Sequence, residues 1–150
     1  MMSVGILQCA ALMRRWGLPA GLSMVFSVLT VVPMVHAQEP WRVPAQARAR
    51  RNPLLPSAAE VGARLFATNC ATCHGAAGRG DGLAAAALNP RPKDLTSQSV
   101  QSEPDGALFW KITRGRGAMP AWPWLPERER WALVWMIREL GRAAASGATQ

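Results

Sequence analysis

Two thiols and an imidazole stand together in Cys70-Ala71-Thr72-Cys73-His74. At this spacing each thiol can add across a vinyl group to form a thioether, and the adjacent imidazole can face a metal. This is the pattern of c-type haem attachment. Other chemistries fit less well. A zinc site wants four nitrogen or sulfur ligands, and residues 38–150 contain no further Cys or His. A thioredoxin-like dithiol shares the spacing but expects a βαβ context that this chain lacks. A plain disulfide is the blandest reading. The motif, combined with the export signal described below, favours one covalent haem c, bound through Cys70 and Cys73 with His74 as proximal ligand.

Elimination narrows the sixth ligand. Met1, Met2, Met13, Met24, Met34 and His36 all precede residue 38, leaving Met119, Met136 and His74 in the remainder. A second His ligand from within that part is therefore excluded. Met136 falls on the apolar face of an expected helix, where a core Met is the default. Met119 lies in Gly115-Arg116-Gly117-Ala118-Met119-Pro120-Ala121-Trp122, a Gly/Pro-rich loop whose backbone can reach over a haem face. Lys93, Lys111 and an open site are the remaining alternatives. The reading favours His74 and Met119 as metal ligands, a pairing that raises the reduction potential.

Three helices are expected to position these residues. The first opens at Ser57, with Glu60 three residues on as a capping box, and places Val61, Leu65 and Phe66 on one face. The second opens near Ser102-Glu103-Pro104-Asp105 and runs through Leu108, Phe109 and Ile112 to Gly115. The third starts at Pro126, carries Glu127 and Glu129 in its first turn, and ends at Gly141. Its apolar face is wide: Trp131, Leu133, Val134, Trp135, Met136, Ile137 and Leu140. Residues 75–101 are rich in Gly, Pro, Ser and Asn, with no alternating β-pattern and no repeat. The expectation is an all-α fold.

Around this core, residues 1–37 read as a signal peptide. Arg14 and Arg15 precede a stretch without charge from Gly17 to Val35, and Val35-His36-Ala37 offers a cleavage site. The uncharged stretch nears the ~20 residues needed to span a bilayer, which leaves an uncleaved anchor as the alternative. Residues 38–56, with Pro40, Pro44, Pro53, Pro56, Arg42, Arg48, Arg50 and Arg51, read as an extended basic arm. Residues 141–150 read as a flexible tail. The folded part is then 57–140, a size that often needs a cofactor, metal or disulfide as a staple.

The chain of 150 residues carries 17 basic and 9 acidic side chains, a net charge of +8. Within 57–140 the balance is 10 basic against 8 acidic, so the surplus lies mostly in the arm and leader. That excludes nucleic acid as the expected partner and leaves membrane-surface contact through the arm or an uncleaved leader.

Residues 57–140 resemble the class I cytochrome c family, single-haem bacterial periplasmic members in particular. The resemblance rests on Gly62-Ala63-Arg64-Leu65-Phe66, the Cys70–His74 motif, Asn89-Pro90-Arg91-Pro92-Lys93-Asp94-Leu95, Gly117-Ala118-Met119-Pro120 and the closing helix Glu129–Arg138. It implies a helical globule around one haem, with the first and last helices crossing. Gly62 and Phe66 would meet an aromatic of the last helix, Trp131 or Trp135, since Met136 stands where the family often has an aromatic. It further implies a proline carbonyl, of Pro90 or Pro92, bonded to His74, and Arg91 and Trp122 as candidates for the propionates. The expected function is one-electron transfer in the periplasm between exported or membrane redox proteins that dock transiently, without enzymatic activity of its own. The alternatives are an electron-input subunit of a larger oxidoreductase, and a haem enzyme or gas sensor with a labile distal ligand.

Overall fold

The chain divides into two units, Met1–Glu39 and Pro40–Gln150, and a computed structural model describes residues 40–147 of it. The expected signal peptide, residues 38 and 39 of the arm, and residues 148–150 of the tail lie outside the described residues. Within them are α1 (Ala45–Arg48), α2 (Ala59–Asn69), α3 (Ala71–His74), α4 (Gln98–Gln101), α5 (Asp105–Arg114) and α6 (Glu127–Ala145). Single 3-10 turns lie at Pro56–Ala58 and Ala85–Ala87, and no strand occurs among the described residues. The fold is all-α.

The main packing is α2 against α6, and Gly62 decides how closely they approach. A Cβ there would stand 2.2 Å from the Ala132 carbonyl oxygen and 3.0 Å from Met136 Cβ, so only hydrogen fits. The nearest neighbours of Gly62 are thus Ala132 and Met136, while Phe66 and Trp131 share one buried cluster and Trp131 stacks on Phe109 of α5 at 4.1 Å between ring centroids. Trp135 turns the other way and donates its indole N–H to the Leu54 carbonyl at 2.9 Å. The buried face of α2 is Ala59, Gly62 and Phe66. Val61, expected on that face, is instead exposed, because the close approach at Gly62 rotates it outward.

Both ends of this helix pair differ from expectation for local reasons. Ser57 makes no capping bond, and the chain enters α2 through the 3-10 turn that begins at Pro56. The last helix runs past Gly141 to Ala145. A Cβ at Gly141 would lie 2.3 Å from Gln101 Cδ, so this glycine makes room for a neighbour rather than ending the helix. Gln101 uses that room to donate Nε2–H to the carbonyls of Leu95 and Ile137, at 2.6 and 3.0 Å. Arg138 completes the tie between α6 and the 101–105 segment. It bonds the Gln101 carbonyl at 2.8 Å and the Asp105 carboxylate at 2.7 and 2.9 Å.

The arm is not an extended linker. It contains α1 and lies along α5 and α6. Arg50 stands 4.7 Å from the Phe109 ring centroid and 5.1 Å from that of Trp131, and it pairs with Glu127. Asn52 donates Nδ2–H to the Trp131 carbonyl at 3.0 Å. The physical reason is that the Arg50 guanidinium and the Asn52 amide find partners on the Phe109–Trp131 stack or beside it.

Candidate functional site

The attachment motif occupies a one-turn helix, too short to be stable alone. Four bonds hold it by satisfying the carbonyls a short helix leaves open. Ala71, Thr72, Cys73 and His74 accept from the backbone N–H groups of Gly75, Ala84, Gly82 and Gly80, at 2.8, 2.9, 3.2 and 2.8 Å. The following loop therefore folds back directly onto α3. Gly82 permits this contact: a Cβ there would stand 2.4 Å from the Thr72 carbonyl oxygen and 2.6 Å from that of Ala71.

His74 donates Nδ1–H to the backbone carbonyl of Lys93 at 3.1 Å. The expected acceptor was Pro90 or Pro92, so this is a correction by one residue or three. It comes from the loop's register, in which Leu95 N–H bonds the Gly78 carbonyl at 2.7 Å. A backbone acceptor carries no side-chain signature, which explains why the sequence did not identify it. With Nδ1 engaged, the lone pair of the neutral ring belongs to Nε2, as a metal-ligating His requires. Burial pushes the His74 pKa below 6.5, while the Lys93 bond opposes that shift in part. The ring is thus neutral at pH 7.

Cys70 and Cys73 are unbridged and partly buried. Burial, and then the proximity of Cys73, push the Cys70 thiol up to about 11. A reactive redox dithiol needs the opposite shift, toward a thiolate at neutral pH. No group of three His, Cys, Asp or Glu side chains converges on one point among the described residues, as a zinc site would require. Two separate thiols and an imidazole with Nε2 unengaged fit a broad group that each meets at a different atom. Haem has that shape.

Met119 sits on the opposite side of the sequence, between α5 and α6. Arg116 and Met119 exchange both backbone bonds, N–H to carbonyl, at 2.9 and 3.0 Å. They form a tight turn around Gly117 and Ala118 in which Gly117 has φ +57°. Trp122 N–H closes the base of the loop on the Ile112 carbonyl at 3.1 Å. Met119, Trp122, Cys70 and Leu65 all pack, partly buried, against the one hydrophobic cluster that contains Phe66, Leu108 and Ile112. Met136 is used in the α2–α6 contact, and Lys111 is paired with Glu103 at 2.6 Å. Lys93 and Arg91 are exposed, and Trp122 stands 5.2 Å from Trp124, ring to ring.

The family described as "Cytochrome C oxidase, cbb3-type, subunit III" matches residues 57–135. Among solved structures, the chain is similar to one of the Kuenenia stuttgartiensis reducing HAO-like protein complex, at 25% identity and a TM-score of 0.51. That similarity covers 59% of this chain and 46% of the other, so this chain spans about half the length of its structural relative. No curated protein matches the sequence.

Proposed function

This chain belongs to the c-type cytochrome family, and we propose that within it the protein is a single-haem, one-electron carrier and not itself an enzyme. Haem electron transfer is the activity of the family domain. The finer assignment is carried by His74, whose ring burial keeps neutral and the Lys93 carbonyl orients, with Nε2 available. Cys70 and Cys73 would hold the haem covalently, with His74 and Met119 as the axial ligands. When bound, the haem supplies a one-electron iron couple.

The protein's own residues do the remaining work. The Lys93 carbonyl fixes the orientation of the His74 ring and raises its basicity. The cluster around Phe66 and Ile112 excludes water on one side of the site. His74 and Met119 together would leave the iron no position for a reactant, which is what separates a carrier from a haem enzyme. Leu83 and Trp124, one in the loop after α3 and one after Met119, are 98% and 66% exposed. They supply apolar surface suited to the small, transient contacts of redox partners. The export reading of residues 1–37 supports the periplasm as the site of action. No helix among the described residues is long and apolar enough to cross a membrane.

A redox titration tests the assignment. One haem per chain and a reversible one-electron Nernst curve are expected, and a stoichiometry above one would overturn it. A second reading, an electron-input subunit, is favoured by the structural relative's being part of a complex. Stable co-purification with an exported oxidoreductase would select that reading, and recovery as a free monomer would select the carrier.

A further inference from the structure

We propose that Trp41, on the N-terminal arm, is a positioning residue for the Met119 loop and sets how firmly Met119 occupies the sixth position. The inference rests on the reading of Met119 as that ligand. Trp41 is partly buried and meets Trp110 of α5 edge-on, with centroids 6.3 Å apart and planes at 68°. Two cations stand over the same indole. Lys111 Nζ lies 5.4 Å from the ring centroid and Arg116 Cζ lies 5.9 Å from it.

The two cations belong to different parts of the molecule. Trp110 and Lys111 are inside α5, whereas Arg116 lies beyond its end, on the loop. Because Arg116 and Met119 exchange both backbone bonds, they move as one four-residue unit, and whatever restrains Arg116 restrains Met119. The base of the loop is held by the Trp122–Ile112 bond, and its tip is open: a Cβ on Gly117 would find nothing within 4 Å.

Trp41 can serve as a fixed point because the arm is itself pinned. Asn52 bonds the Trp131 carbonyl, and Arg50 lies on Phe109. At Gly106 the arm and α5 are so close that a Cβ would stand 2.0 Å from the Ala47 carbonyl oxygen. A loop carrying a proposed axial ligand is thus tied by an aromatic–cation contact to a segment more than seventy residues earlier in the chain. That segment directly follows the proposed export signal.

Imidazole, titrated into the ferric holoprotein and followed by absorbance, reports how often the sixth position is open. Its apparent affinity rises with the open fraction. Trp41→Leu is expected to tighten apparent imidazole binding about two- to fivefold, the range for loss of one exposed cation–aromatic contact. Trp41→Phe should restore most of the wild-type affinity. Met119→Ala should tighten binding far more, and adding Trp41→Leu to it should change nothing further. A purely structural Trp41 would lower the melting temperature without altering imidazole affinity, and that result overturns the proposal while leaving Met119 as ligand. An unchanged Met119→Ala would overturn the ligand reading itself, and the positioning role with it. Should Trp41→Leu fail to fold, Trp41→Met, which keeps apolar bulk without a ring face, takes its place, and its imidazole affinity decides in the same way.

Discussion

The His74 side of the site is completed by neighbours in sequence, all within residues 70–95. Four carbonyls of α3 are capped by the next ten residues, and the His74 ring is bonded to Lys93. The Met119 side depends on distant segments. Its loop is bridged within itself from Arg116 to Met119 and closed at Trp122, while Arg116 faces Trp41 across more than seventy residues of chain. One side is therefore rigid because its backbone is fully bonded and glycine-tight. The other is tight at Gly115, where a Cβ would stand 2.5 Å from the Met119 carbonyl oxygen, but open at its Gly117 tip, and it draws side-chain contacts from elsewhere. For an electron-transfer site this division would place the proposed thioethers and proximal ligand on the unyielding half.

The largest effect should come from the attachment residues. In the double variant Cys70→Ala/Cys73→Ala, haem staining after denaturing electrophoresis is expected to vanish, and retained stain would contradict the covalent assignment. Next come two glycines that set the halves against each other. Gly82→Ala drives a methyl into the Thr72 and Ala71 carbonyls, backbone that cannot rotate away. It should cost about 2–3 kcal/mol in denaturant unfolding. Gly117→Ala meets open space and carries only the positive-φ penalty, about 1 kcal/mol. Equal losses at the two positions would erase the proposed contrast.

Arg50→Ala tests whether the arm is fastened as described. Losing its contacts with the Phe109 and Trp131 rings should cost about 1 kcal/mol, given that the guanidinium is nearly half exposed. Limited proteolysis should then cut between residues 42 and 51 sooner than in the wild type. Acid should give the smallest effect on the same clasp. The bond from Arg50, and then that from the Trp131 indole, hold the Glu127 carboxyl below its ordinary value of 4.5. Because the folded pKa is depressed, the contact's contribution is present above pH 4.5 and is lost as pH falls through the lower folded value. Arm cleavage that is faster below that point in wild type, but not in Glu127→Gln, would show it.

Much of this was legible in the sequence, and the misses share a cause. Cys70, Cys73 and His74 announce themselves by contiguity, and α5 and α6 by apolar periodicity ending in charged turns. The proposed ligand Met119 rests on exclusion, since the other methionines precede residue 38 or lie on a helix face. What stayed hidden were contacts that leave no mark on residue type. The Lys93 carbonyl is backbone. Gly141 looks like a helix stop until Gln101 is seen beside it. The arm looked like a linker because Pro and Arg dominate it, although Trp41 was a lone aromatic in a charged segment and the one available sign of packing.

His74 and Met119 are proposed to fill both axial positions of one haem. Carbon monoxide added to the reduced wild-type protein tests this most directly, because the gas binds ferrous iron only at an open or labile position. With His74 and Met119 as ligands, a low-spin c-type spectrum that carbon monoxide leaves unchanged is expected. A spectrum that shifts on adding the gas would contradict it and make the distal side a place where ligands bind.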